Sequence, residues 1–243
     1  PVVDPTTFRS IAVPNAVIPS KGKLYLGSYD LLGLTAGYSL DDHLMIIAGG
    51  APPLPDDWSG TRGTAFGAWS LGLKLGLRID SLLGSPLGAT PIHLAAGYQY
   101  AQSFFDEQQT VETDSRIRLN VPYGSLSIGD DDRRVSVTGG YAFKHHQTRV
   151  VYEGTTRVGI EPYQRNAAFV AVGGDWRIGR NWKVVAEALT METVGVVPVL
   201  GGVRYFTHRF AVDGALAYVG IVGEGTARPK VPLAPVITFI AVF

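Results

Sequence analysis

Thr64-Ala65-Phe66-Gly67-Ala68-Trp69-Ser70-Leu71-Gly72-Leu73-Lys74-Leu75-Gly76-Leu77-Arg78-Ile79 has a period of two. Its odd positions are mostly large and apolar, from Trp69 through Leu71, Leu73, Leu75 and Leu77 to Ile79. Its even positions carry Thr64, Phe66, Ala68, Ser70, Gly72, Lys74, Gly76 and Arg78. Successive side chains of a strand point to opposite faces, so one face is oily and the other is small or charged. The run is also far longer than the ~5–6 residues usual for strands of soluble proteins.

The same alternation spreads outward over most of the chain. Leu32, Leu34, Ala36, Tyr38 and Leu40 form one oily stripe, and Ile92, Leu94, Ala96, Tyr98 and Tyr100 form another. Ile117, Leu119, Val121 and Tyr123 read the same way against Arg116, Arg118 and Asn120. Val135, Val137, Tyr141 and Phe143 continue the series, as do Val170, Val172, Trp176 and Ile178. Later stripes are Trp182, Val184, Ala186 and Ala188, then Phe210, Val212, Leu216 and Tyr218. The pattern predicts strands near 23–40, 43–50, 64–79, 90–102, 115–127, 134–147, 167–178, 181–190, 196–206, 209–221 and 232–243. Residues 8–19 are expected to add one more despite Pro14 and Pro19. No convincing amphipathic helix interrupts them.

Turns and loops alternate too. Short turns fall at Asp41–Asp42, Gly129–Arg133, Ile178–Asn181 and Thr207–His208, with a longer one at Asp80–Ala89. Longer polar loops fall at Ala51–Gly63, Ser103–Thr113, Arg149–Arg165, Met191–Gly195 and Val222–Val231. One end of the sheet is therefore tight and the other loopy.

Composition limits what such a sheet can be. The 243 residues include 30 Gly, 15 Pro and no Cys, and only 17% are charged, with Lys plus Arg equal to Asp plus Glu at 21 each. Zero net charge argues against nucleic acid as a partner. The absence of Cys excludes disulfides and thiolate metal sites. No apolar run reaches the ~20 residues of a spanning helix. The opening, Pro1 with Asp4 and Arg9 close by, has no charged-then-apolar leader, as expected of a mature form.

A soluble sandwich would bury the oily face, and a transmembrane barrel would turn it to lipid. Three features favour the barrel: strand length, the small residues of the polar face, and aromatics at both ends of the oily stripes. At the tight end stand Tyr38, Trp176, Trp182, Tyr205, Phe210 and Phe243; at the loop end stand Trp69, Tyr98, Tyr100, Tyr141, Phe143 and Tyr218. Phe210 to Tyr218 spans ~20 Å of height at ~3.3 Å per residue and ~40° of tilt, near the ~25 Å apolar band of outer-membrane barrels. Amphipathic rings favour the two interfaces.

With these stripes, the turn asymmetry and the final Val236-Ile237-Thr238-Phe239-Ile240-Ala241-Val242-Phe243, the chain resembles a bacterial outer-membrane β-barrel protein. Phe243, Ala241, Phe239 and Ile237 resemble the terminal-strand signal read by the barrel-assembly machinery. The opposite face, with Ile240 and Val242, is unusually apolar. The resemblance implies an all-β, closed antiparallel transmembrane barrel of about 12 strands, the even count usual in this class. It implies short periplasmic turns, longer extracellular loops and a place in the outer membrane of a Gram-negative bacterium. Membrane lipids, the assembly machinery and other envelope proteins are the partners it implies.

Two parts are expected: residues 1–20 as a first strand or docking arm, and 21–243 as the barrel. With no separate plug domain ahead of the strands, energy-coupled import of large ligands is not expected. Charged residues expected to line the lumen are Lys74, Arg78, Asp175, Arg177, Lys183, Glu187, Arg204, Arg209 and Asp213. They read as an ion-paired ladder that stiffens the lumen, or as a selectivity lining that favours anions because cations predominate.

No catalytic residue, metal site or cofactor is assigned. His145 and His146 are adjacent and face opposite sides of a regular strand. Ser70 and His93 are the one serine–histidine pair that strand adjacency suggests for a lipid hydrolase, and both fall on the inner face. Asp56-Asp57, Asp106-Glu107 and Asp130-Asp131-Asp132 lack calcium-loop spacing and read as turn chemistry. Pro52-Pro53-Leu54-Pro55 with Trp58 reads as a contact point for another protein or for surface glycan. The leading function is a narrow, porin-like passive channel or structural envelope component. The alternatives are an anchoring subunit of an envelope assembly, a lipid hydrolase and a soluble β-sandwich binding module.

Overall fold

The alternating runs fold into strands whose outer face is apolar and whose ends meet. The computed structural model describes residues 2–9, 14–29, 33–54, 64–80, 90–107, 113–148, 151–153, 156–158, 164–192, 196–221 and 233–243. The strands are β1 (Leu24–Tyr29), β2 (Gly33–Ser39), β3 (Leu44–Leu54), β4 (Thr64–Arg78), β5 (Ile92–Glu107), β6 (Thr113–Gly129) and β7 (Arg133–Thr148). There follow β8 (Val151–Glu153), β9 (Thr156–Val158), β10 (Gln164–Gly179), β11 (Trp182–Met191), β12 (Val196–Phe206), β13 (Phe210–Ile221) and β14 (Ala234–Val242). The pair β8–β9 is a separate hairpin. The other twelve close in the order β1-β14-β13-β12-β11-β10-β7-β6-β5-β4-β3-β2, each antiparallel to its neighbours. Closure leaves no free sheet edge, the condition for placing a sheet in hydrocarbon.

The twelve are not reached in the way the pattern suggested. The 23–40 run divides into β1 and β2, and the described residues of the N-terminal segment, 2–9 and 14–20, stay out of the wall. Their one pairing among the described residues is an isolated bridge between Arg9 and Pro14.

Outward positions are uncovered. Leu71, Leu73, Leu75 and Leu77 of β4 are 51–58% exposed, and Val135, Val172, Val184 and Leu216 continue the belt on other strands. A soluble sandwich would bury these rows; here they face away from the protein, which overturns that reading. Inside, Tyr25, Met45, Ile240 and Val242 pack together with Phe8 and Ile18 against them. This explains the apolar second face of the terminal strand: Ile240 and Val242 meet the N-terminal segment.

One stripe has the opposite phase. On β6, Tyr123, Ser125 and Ser127 are buried while Leu126 and Ile128 are exposed. Register with β5 pairs Tyr98 with Pro122 and Gln99 with Val121, so Val121 and Leu119 take the inner side. Alternation alone points the Ile117–Tyr123 stripe towards lipid. Barrel register overrides it, because a continuous strand keeps one parity set by both neighbours.

Short connections gather at one end. Asp41 Oδ1 accepts from the backbone N–H groups of His43 and Leu44, at 2.6 and 2.7 Å. Asp130 Oδ1 does the same for Asp132 and Arg133, at 2.9 and 3.0 Å. These are self-capped Asx turns, as the acidic run suggested. Leu24 and Phe243 exchange backbone hydrogen bonds at this end too.

Candidate functional site: the lumen and its N-terminal segment

Register builds an unusual row on the inner wall near the turn end. Arg177 pairs with Lys183, Lys183 with Arg204, Arg204 with Asp213, and Asp213 with Thr238 across five neighbouring strands. Three cations therefore stand side by side. Like charges directly opposite one another on a sheet are destabilising unless something compensates them.

Part of the compensation comes from outside the wall. Asp4 is fully buried among these cations, with Oδ2 2.9 Å from Lys183 Nζ and 3.4 Å from Arg204 Nη1. Lys183 also lies 2.7 Å from Asp175, and Arg204 Nε donates to Asp213 Oδ1 at 2.5 Å. Arg9, from the same segment as Asp4, reaches Asp213 at 3.3 Å and donates to Thr238 Oγ1 at 3.0 Å. Burial alone would raise the Asp4 carboxyl. The charges of Arg204 and Lys183, with hydrogen bonds from Thr6, outweigh it and hold the group well below the usual carboxylate range.

Backbone groups of the segment are held as well. Lys74 Nζ donates to the carbonyls of Val17 at 2.6 Å and Phe8 at 3.2 Å. Arg134 donates to the Thr7 carbonyl at 2.6 Å, Thr138 to that of Pro14 at 2.8 Å, and Arg177 to that of Val2 at 3.0 Å. The Ala16 N–H donates to Ser127 Oγ at 2.9 Å. The described residues of the segment thus cross the barrel interior near its turn end, tied to strands on several sides.

On the loop side of the segment lies a cavity of about 420 Å³. Phe8 and Pro14 form part of its lining, with Met45, Ile47, Ser70 and Gln99 from the wall. Gln99 Nε2 donates to Ser70 Oγ at 3.3 Å.

The charged residues expected in the lumen divide by position. Lys74, Asp175, Lys183, Glu187, Arg204 and Asp213 are buried on the inner side. Arg177 is half-buried and pairs with Asp132 at 2.5 Å. Arg78 and Arg209 instead stand exposed at the turn end, with Arg78 closing on Asp80 at 2.7 Å. The set forms no regular ladder of opposite charges, since three cations are consecutive in register. Asp4 and Arg9 complete this set from outside the alternating strands. The signal for them was the cation excess among inward positions, which needs an acid from elsewhere.

Of the aromatics, Tyr38, Trp69, Tyr98, Tyr141, Phe143, Trp176, Trp182, Phe210, Tyr218 and Phe243 are exposed on the outside. Tyr100 and Tyr205 are half-covered by the rings of Trp69 and Trp182, with centroids 5.2 and 5.0 Å apart.

Ser70 and His93 are not brought together. Ser70 pairs with Ala101 and His93 with Arg78, which places them ~26 Å apart along the strands at ~3.3 Å per residue. Asp56, Asp57 and Trp58 lie outside the described residues.

No family model matches the chain, and no curated protein matches it. Among solved structures it is similar to the translocator domain of the autotransporter NalP from Neisseria meningitidis, at 8% identity and TM-score 0.43, over 90% of this chain and 84% of that one. It is also similar to a deltaS2 mutant of the TodX monoaromatic hydrocarbon channel, at 10% identity and TM-score 0.37, over 99% and 96%. The Ralstonia pickettii toluene transporter TbuX matches at 15% identity and TM-score 0.34, over 90% and 67%. Likeness at this level carries no functional information. Closure of twelve antiparallel strands, with an uncovered apolar belt outside and a polar, charged interior at the turn end, makes the chain a transmembrane β-barrel of the bacterial outer-membrane type.

Proposed function

We propose that the barrel is a narrow outer-membrane channel for small solutes, held shut at its turn end by its own N-terminal segment. The observation that carries this reading is the seat of Asp4 between Lys183 and Arg204. A purely structural barrel could fill its interior with apolar side chains. This one fills it with a separate stretch of chain, fixed by ion pairs and hydrogen bonds that water or protons can replace. The cavity beyond the segment, about 420 Å³, has room for a small molecule.

In this reading the inner-wall charges have two states. With the segment seated, Asp4 and Arg9 complete the network, and conduction is low. With it withdrawn, Arg177, Lys183 and Arg204 face water together and favour anions. The outer aromatics sit at the two membrane interfaces, and the 236–243 strand presents Phe243, Phe239 and Ile237 to the assembly machinery.

Planar-bilayer recording tests the channel. The full chain is expected to conduct little, and a chain lacking residues 1–19 to conduct steadily with an anion-selective reversal potential. If the shortened barrel, shown folded by heat-modifiable migration, conducts no more than the full chain, the channel reading falls. The structural or anchoring role then takes its place.

A further inference from the structure

The outer surface carries a hollow that the channel reading does not use. It lies where β6, β7, β10 and β11 run side by side near the turn end, and its volume is about 420 Å³. Register sets Ile128 beside Val135, Val135 beside Gly174, and Gly174 beside Ala186 on the outer face. One step nearer the turns, Arg133 pairs with Trp176 and Trp176 with Val184. The outward stripe of β10 runs from Val172 to Trp176 with Gly174 between them, so the belt of large side chains is broken there. The break is fixed by the backbone: a Cβ on Gly174 would sit 2.8 Å from the Arg134 carbonyl oxygen. Val135, Val184 and Trp176 form the sides of this open, largely apolar hollow.

A cation stands at its turn-end rim. The Arg133 side chain is exposed, with its guanidinium carbon 6.0 Å from the centroid of the Trp176 ring. The acids of the adjoining turn make no ion pair with it, although the Asp130 carboxylate lies close enough to feel the Arg133 charge. Asp132 pairs with Arg177 at 2.5 Å, Asp131 with Arg134 at 3.3 Å, and Asp130 caps the turn. Among the described residues no carboxylate pairs with Arg133. A planar guanidinium beside an interfacial indole matches a lipid phosphate, bound through paired N–H donors.

We propose that this hollow is a seat for one anionic phospholipid, with an acyl chain over Gly174 and Ala186 and its headgroup on Arg133. Native mass spectrometry of the detergent-solubilised full chain, offered dioleoylphosphatidylglycerol or dioleoylphosphatidylcholine at equal concentration, tests it. One phosphatidylglycerol is expected to be retained about tenfold better than phosphatidylcholine, the weight of one charge-assisted contact. Arg133→Gln is expected to bring it down to the phosphatidylcholine level. Ala186→Leu, which fills the hollow and keeps the charge, lowers retention of both lipids. Arg209→Gln, which removes an exposed cation at the same end, leaves retention unchanged. Heat-modifiable migration confirms that each variant is a closed barrel. Undiminished retention in Arg133→Gln or in Ala186→Leu overturns the seat. An equal fall in Arg209→Gln does so too, since the effect would then be one of diffuse charge.

Discussion

Asp4 Oδ2 lies 2.9 Å from Lys183 Nζ, which ties the N-terminal segment to a strand in the second half of the chain. Both side chains are fully buried. Removing one partner of a buried pair costs ~3–5 kcal/mol, because the other is left uncompensated. Asp4→Asn is therefore expected to loosen the segment while leaving the wall closed. Single-channel recording should show longer open times than the parent chain. Unchanged traces would mean that Asp4 does not hold the segment.

Acid should act in the same direction. The folded Asp4 carboxyl is held below its unfolded value of ~3.9, so its stabilising contribution is fully present above about pH 4. It is lost as pH falls toward the lower, folded value. Conductance is expected to be flat from pH 7 to pH 5 and to rise below about pH 4. Asp4→Asn should remove most of that rise. A transition centred near neutral pH would point to another group.

The outer belt makes a separate prediction. Leu73 lies between Trp69 and Leu77 on the lipid-facing stripe of β4 and is 51% exposed in the protein alone. Leu73→Arg should cost ~2–4 kcal/mol of folding stability in bilayers, the price of a cation near the midplane. Ser70→Arg, on the opposite face, should cost less. Urea titration into lipid vesicles measures both, and equal losses would contradict the assignment of faces.

The reading of faces succeeded where both neighbouring strands shared the pattern. β4 runs Thr64–Arg78 against a predicted 64–79, and its parity holds from Trp69 to Leu77. It failed on β6, where Ile117 to Tyr123 looks oily but Leu126 and Ile128 carry the opposite phase. Local alternation cannot choose between two phases in one strand; the ladder to β5 does. The N-terminal segment was harder still. Its Val, Ile and Pro content suits an extended chain in any setting, and a short stretch carries no signal for lying inside rather than alongside. Only Ile240 and Val242 hinted that the terminal strand needed an apolar partner within.

The inverted phase of β6 can itself be tested. Tyr123 faces inward opposite Gly97, where an added Cβ would meet the phenol ring. Gly97→Val should destabilise by ~1–3 kcal/mol through overpacking. The same change in a Tyr123→Ala background should cost clearly less. A double-mutant cycle with no coupling would return Tyr123 to the lipid side.

The run of Arg177, Lys183 and Arg204 in adjoining strands has a temporal meaning. Expelling Asp4 takes away the carboxylate that Lys183 and Arg204 share and leaves them only Asp175 and Asp213, so the vacated condition is self-limiting. Its lifetime is governed by how quickly a mobile counter-ion arrives to stand in for the departed carboxylate. Currents through single molecules should therefore come as brief flickers, prolonged by chloride and shortened in dilute electrolyte.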